Sequence, residues 1–348
     1  MRIEQSRILV VAPAFLEWDL GRYVQSLLED RQIECRAFAY RGWASDAEAN
    51  ARLLDVAADY APDVVLGLKM ASILPDTVRT LRRQGALVAL WYVDCFDDRV
   101  PDTIGGLFKV VDVFLTSAAG MLPRYRALAP TPSYWVYEGV YLPGFPAAAP
   151  SLAQWPTYAS EVAFIGNVFH PPVSDSALAQ RRYGLLRKIA ERYRLKVWGP
   201  QGDPSTRERW DVPAPLIPWP AFHQETVKIC QAANVVLGIN TINTVERYFS
   251  NRTYLTLASG GFHLTHYVPG LETMFQNHRH LVWYRDDDEC LELLDHYLPR
   301  DEARRQIARA GRAWTRRRYG MRRQVNKMLA ILNSHLTGVT PTAPLAAN

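Results

Sequence analysis

The feature that most restricts how this chain can fold is a rhythm. Short, wholly apolar runs alternate with stretches of helical periodicity, the rhythm stops once at a proline-rich segment, and then it begins again. Residues 7–12 (RILVVA) form the first apolar run; Leu20, Tyr23, Val24, Leu27 and Leu28 follow at helical spacing, and 33–39 (IECRAFA) read as a strand. The alternation continues through DVVLGL at 63–68, a helix near 75–84, ALVALWYV at 86–93, VVDVFLTS at 110–117, a helix to about 127, and SYWVYE at 133–138. Apolar runs without polar alternation are strands covered on both faces, so the pattern predicts a parallel sheet sandwiched between helices.

The segment 141–158 (YLPGFPAAAPSLAQWPTY) concentrates proline and small residues, holds no period, and reads as a linker. After it come EVAFIGN at 161–167, an amphipathic helix carrying Arg182, Leu185, Leu186 and Ile189, then LKVWG and, at 234–240, NVVLGIN. The expected fold is therefore α/β with two Rossmann-like domains in tandem. Residues 1–145 form the first and 158–318 the second; 319–336 form a closing helix that crosses back to the first, and 337–348 a flexible tail.

A length of 348 residues, against roughly 150 for a common single domain, agrees with two domains. Charged residues at 22% and apolar ones (AVILMFWYC) at 48% exclude the disordered and membrane-embedded classes. The start has one short apolar run with Glu4 ahead of it, and no segment offers 18 uninterrupted apolar residues, so a cytoplasmic protein is expected. Cys35, Cys95, Cys230 and Cys290 are isolated from one another and predict neither a disulfide frame nor a zinc site. The formal charge is +5, and ten basic residues crowd between Arg304 and Lys327. That stretch is either a surface for an anionic partner, a membrane or a nucleic acid, or a solvated helix with Ile307, Ala310 and Trp314 turned inward, or a brace to the first domain.

In such sheets ligands sit beyond the carboxyl ends of the strands, which singles out three places. The first is Asp94, at the end of ALVALWYV and followed by Asp97 and Asp98: a carboxylate there is a candidate general base, or else a cap for the turn. The second is Gly166 and Asn167 with Arg181 and Arg182 beyond them, where a glycine and a guanidinium suit a phosphate, or where the glycine only makes the turn. The third runs from Asn240 through Arg247, Ser250, Asn251, Arg252, Tyr254, Ser259, Gly260 and Gly261 to His263. Two arginines near a helix start suit a diphosphate that would otherwise need a metal, and the Ser-Gly-Gly amides either reach a ligand or close a helix.

Together, PDVVLGLK, ALVALWYVDCFDD and VVDVFLTSAAGMLPRY in the first half, with EVAFIGN, VVLGIN, SNRTYLTLASGGFHLT, VPGLETMF and the arginine-rich end in the second, resemble the CgeB-like glycosyltransferases. These belong to the wider group with a glycosyltransferase family 1-like C-terminal half. The resemblance implies a GT-B fold, two Rossmann-like domains whose parallel sheets face a central cleft. It implies a nucleoside diphosphate sugar as donor on the second domain, a hydroxyl acceptor on the first, and neither a cofactor nor a metal. It places Asp94 at the cleft edge, and Gly166, Asn167, Asn240, Arg252, Ser259, Gly260 and Gly261 at the donor; Arg182, Arg247, Asn251 and Tyr254 complete the donor set. One position departs from the pattern: relatives carry a ribose-binding glutamate where this chain has Leu255. The implied activity is hexosyl or pentosyl transfer to a surface polysaccharide, a lipid-linked acceptor or a small molecule. Transfer to modified nucleic acid and an inactive nucleotide-sugar-binding protein are the alternatives.

Overall fold

The computed structural model describes residues 2–95, 99–145, 156–168, 177–200, 214, 225–240 and 242–339. Two compact units divide the chain: Met1–Glu138 with Met321–Asn348, and Gly139–Gly320.

The first unit holds six parallel strands, β1 (Ile8–Ala12), β2 (Cys35–Ala39), β3 (Val64–Leu68), β4 (Leu87–Tyr92), β5 (Val113–Thr116) and β6 (Ser133–Trp135), in the order β2-β1-β3-β4-β5-β6. Every side chain of β1 and β3 is buried, as continuous apolar runs require when both faces of a sheet are covered. The connecting helices are α1 (Leu20–Glu29), α2 (Asp46–Tyr60), α3 (Pro75–Arg83), α4 (Asp102–Phe108) and α5 (Leu122–Leu128). Local chemistry sets their starts. The Ser45 hydroxyl accepts from Glu48 N at the head of α2, and Pro75 opens α3, where its missing N–H costs nothing.

The second unit repeats the plan with β7 (Ser160–Ile165), α6 (Ala177–Ala190), β8 (Leu195–Trp198), α7 (Thr226–Ala232), β9 (Ala233–Gly238), α8 (Arg252–Ser259), β10 (His263–His266), β11 (Val282–Tyr284), α9 (Asp287–Tyr297) and α10 (Asp301–Arg318). Its five parallel strands are ordered β11-β10-β9-β7-β8. Val162, Phe164, Leu186, Val235, Leu264, Tyr284 and Leu294 meet in its main core. At the head of α9, Asp286 accepts from Glu289 N while Glu289 accepts from Arg285 N, a reciprocal cap.

The expected pair of Rossmann-like domains is thus present, with six and five strands. The basic stretch 304–327 is not one surface element. It breaks at Tyr319 and Gly320 into α10, in the second unit, and α11 (Met321–Thr337), in the first. On α10 the inward stripe is Ile307, Ala308, Gly311 and Thr315, while Ala310 and Trp314 are half-buried. α11 lies on the first unit: Asn333 accepts from Ile3 N at 3.0 Å and His335 Nε2 is 3.0 Å from the Tyr134 hydroxyl. Cys95, Cys230 and Cys290 are buried and Cys35 half-buried, all as free thiols. Of the proline-rich segment, 146–155 lie outside the described residues. Among the described residues no helix is long and apolar enough to cross a membrane.

Candidate functional site

In an open parallel sheet, a crevice forms where consecutive connections leave in opposite directions. In the second unit β7 leads to β8 on one side and the chain returns to β9 on the other, so that point lies between β7 and β9. The residues just past these two strands line a hollow there. Phe164 and Ile165 come from the end of β7, Gly238 and Asn240 from the end of β9, and Ser250 and Arg252 from the approach to α8.

Glycines let the backbones come this close. A Cβ on Gly238 would lie 2.5 Å from Thr265 Oγ1 and 2.8 Å from His263 Cε1, and one on Gly199 would lie 2.5 Å from the Gly166 carbonyl oxygen. Gly166 N donates to Trp198 O at 2.8 Å, which holds the loop after β7 against the end of β8. Asn240 ties the surrounding loops: its Oδ1 accepts from Ser250 N and its Nδ2 donates to His266 O, each at 3.1 Å.

Arg182, on the first turns of α6, spans the crevice. Its Nη1 donates to Asn167 O at 2.7 Å and its Nη2 lies 3.5 Å from Ile239 O, joining the loops after β7 and β9. Arg252 stands opposite. Its guanidinium carbon would be 3.4 Å from a Cβ on Gly166, and its Nη1 donates to Ser250 Oγ at 3.0 Å. Burial, and then the nearby Arg252 charge, push the Arg182 guanidinium down to about 10. Two like charges brought together at a sheet's ligand edge are a receptor for an anion.

The histidines here are neutral. Burial lowers His263 to about 4; its Nδ1 faces Val236 O at 3.0 Å, so that nitrogen carries the proton, and its Nε2 accepts from the Thr253 hydroxyl at 3.2 Å. Burial and the Arg181 charge lower His266, which stacks on Tyr284 with ring centroids 5.2 Å apart. A neighbouring hollow lined by Arg181, Arg182, Asn243, His266, Tyr284 and Asp287 shares Asn240 with the first.

The structure therefore brings Gly166, Asn167, Arg182, Asn240 and Arg252 together. Of the other expected donor residues, Asn251 lies between Ser250 and Arg252 on the approach to α8, and the rest stand elsewhere. Arg247 packs on Gly270 beyond β10 and pairs with Glu246 at 3.6 Å. Asn251 precedes α8 and accepts from Leu255 N. The Tyr254 ring is buried among Phe249, Phe275 and Tyr319. Ser259, Gly260 and Gly261 lie at the far end of α8, which at about 1.5 Å per residue is about 12 Å from Arg252. Gly260 N is bonded to Leu257 O and Gly261 N to Thr256 O, with Gly260 at φ +87°, so these amides close the helix and cannot also hold a diphosphate. Leu255 does not line the crevice; on α8 its neighbours Thr253 and Thr256 do, with Arg252.

In the first unit, Asp94 stands past the end of β4 and pairs with Lys69, past the end of β3, at 2.8 Å. Asp97 and Asp98 lie outside the described residues. Lys69 was not singled out from the sequence; its signal is a lone cation directly after the apolar run DVVLGL. Among the described residues no group of His, Cys, Asp and Glu is placed to hold a metal ion.

Residues 181–330 match a family model described as glycosyl transferase-like. Among solved structures, sucrose-phosphate synthase from Thermosynechococcus elongatus superposes with a TM-score of 0.71 at 12% identity, over 97% of this chain and 100% of that one. Anabaena HepE in complex with UDP and glucose does so at 0.66 and 10% identity, over 95% and 100%. S. aureus MnaA with UDP does so at 0.61 and 9% identity, over 99% and 100%. A comparison with curated proteins finds no match. The two parallel-sheet units match the fold of GT-B glycosyltransferase structures.

Proposed function

We propose that this chain is a glycosyltransferase that holds a nucleoside diphosphate sugar in the crevice between β7 and β9 and passes the sugar to a hydroxyl acceptor. The observation that carries the reading is the pairing of Arg182 with Arg252 at that crevice. When the bond between the anomeric carbon and the diphosphate breaks, its electron pair goes to the departing oxygen. Preorganised donors are worth most where that charge develops. Two guanidinium forks meet the diphosphate there, in the part a divalent cation would otherwise play. The acceptor oxygen forms the new bond and its proton passes to a base, for which Asp94, at the ligand edge of the first unit, is the candidate. UDP is the first nucleotide to test, because HepE and MnaA are both solved with it.

The test is thermal unfolding of the full chain with UDP, GDP, ADP, CMP and dTDP and their sugars, followed by an assay for sugar released or transferred. A ligand at a hundred times its dissociation constant stabilises by about 2.7 kcal/mol. One nucleotide diphosphate raising the midpoint supports the donor site. Stabilisation without any sugar released or transferred leaves a nucleotide-sugar-binding protein, and no response to any of them overturns the reading.

A further inference from the structure

The first unit has a crevice of the same topological kind, between β1 and β3, where the chain leaves β1 for β2 and then returns on the other side. Its chemistry is different. Among the described residues the exposed large apolar side chains are Leu16, Trp43, Leu74, Leu128 and Val339, and three of these five sit on the loops after β1, β2 and β3. Single exposed apolar residues are ordinary, but here three fall on the loops of three strands that lie side by side in the sheet, at its ligand edge.

The loops are held side by side. Parallel pairing runs on past the strand ends, with Tyr40 N donating to Ala12 O at 2.9 Å and Arg41 N to Pro13 O at 3.3 Å. The buried Asn50 of α2 donates to Ser72 O at 2.8 Å and accepts from Leu74 N at 2.9 Å, which fastens the third loop to the helix that follows the second. Trp43 is fixed by a bond from its Nε1 to Ala39 O at 2.9 Å and by stacking on Phe38.

A polar pair stands at the same edge, past the ends of β3 and β4. Lys69 and Met70 both have left-handed backbone, at φ +65° and +53°, an arrangement costing roughly 1–3 kcal/mol per residue and concentrated at ligand sites. Buried Met70 holds the turn: its sulfur occupies the space beside Gly67, 2.0 Å from where a Cβ would stand. The strained turn sets Lys69 against Asp94. The loops after β1 and β2, with the first turns of α1 and α2 that they lead into, carry Glu17, Asp19, Asp46 and Glu48 against Arg22 and Arg41, an acidic balance that repels an anionic bilayer.

We propose that this crevice takes an uncharged acceptor whose hydroxyl is carried on an apolar body, with the hydroxyl end at Lys69 and Asp94 and the body on Leu16, Trp43 and Leu74. The occupant is a free molecule. The inference rests on the glycosyltransferase reading for what happens to the hydroxyl, but not for the binding itself.

The experiment compares octyl β-glucoside, below its micellar concentration, with methyl β-glucoside, by calorimetry on the full chain without nucleotide. The octyl compound is expected to bind at least tenfold more tightly. That preference is expected to fall in Leu16→Ser and Leu74→Ser, whose side chains are 57% and 50% exposed in the parent and whose midpoints of unfolding should barely move. Equal binding of the two glycosides, or a preference untouched by both substitutions, overturns the proposal. Sedimentation with phosphatidylcholine vesicles that depends on Leu16 and Leu74 overturns it in favour of a bilayer. Octyl preference in a protein that ignores every nucleotide keeps the apolar site and discards the donor reading, so the two failures are distinguishable.

Discussion

Replacing Arg252 by methionine should uncouple stability from nucleotide binding. Arg182 is held at about 10 rather than 12.5, first by burial and then by Arg252. At about 1.36 kcal/mol per unit, keeping that guanidinium charged costs the fold about 3 kcal/mol. Both folded and unfolded chains carry the proton at pH 7, so the cost is present in full at neutral pH. Arg252 causes the smaller part, and the variant recovers it. The variant also loses the bond from Nη1 to Ser250 Oγ, an exposed contact worth about 0.5–1.5 kcal/mol. The two changes oppose each other, and the unfolding midpoint should stay within a few degrees of the parent. Binding should not stay. A charge-assisted bond to a phosphate contributes about 1.5–3 kcal/mol, which is ten- to a hundredfold in affinity for UDP or whichever nucleotide the screen identifies. Arg182→Met is the contrast. It strips the Asn167 and Ile239 carbonyls of their donor and should lower stability and affinity together. Calorimetric titration beside thermal unfolding decides the matter. An Arg252→Met protein that binds with parental affinity, or that unfolds many degrees early, refutes the assignment of Arg252 to an anion site.

Two further outcomes follow from the same region. Gly260→Ala places a Cβ on a left-handed residue and should cost about 1 kcal/mol, yet leave nucleotide affinity unchanged, because the Gly260 amide closes α8; a weakened titration would return that amide to the ligand. His263 is neutral in the fold at about 4, against about 6.5 in the unfolded chain, so the unfolded state takes up the proton first as the pH falls. Its contribution to stability is complete above about pH 6.5 and is lost by about pH 4, for about 3 kcal/mol. His263→Asn, which can still donate to Val236 O but cannot ionise, should show a flatter fall in urea unfolding across that window, and identical slopes would refute the burial argument.

The strands were the most legible part of the sequence, because side chains buried on both faces leave runs such as ILVVA and VVLGL that no amphipathic helix produces. Helix α4 was invisible: Gly105 and Gly106 hide its period, and it exists because Ile104, Leu107 and Phe108 are buried, Phe108 against Phe114 of β5 and Tyr125 of α5. Residues at strand ends were readable one strand at a time, and Gly166, Asn167 and Asn240, read that way, do stand past the ends of β7 and β9. What the sequence could not show was direction along α8. Arg252 and Gly260 are neighbours in the motif, but a helix of eight residues carries one to the crevice and the other to the opposite edge of the sheet. Nor could it show Lys69, whose partner Asp94 is 25 residues away and comes into reach only when β3 and β4 pair.

The two units share one strand order, with the third strand returning past the first, and topology alone would give their crevices the same role. Side chains separate them. One crevice is spanned by Arg182 with Arg252 facing it, while the edge that holds the other carries an ion pair, two exposed leucines and a tryptophan. The glycosyltransferase reading proposed above uses that asymmetry. If both crevices were cationic, each would compete for the charged donor and the leaving diphosphate would find a second trap; on the proposed reading, an acidic edge with exposed apolar side chains repels a diphosphate and leaves that place to the acceptor. The division also predicts what an exchange would do. Introducing arginine at Leu74 should draw the nucleotide to the first unit without improving transfer, because affinity placed where no charge develops stabilises the ground state alone.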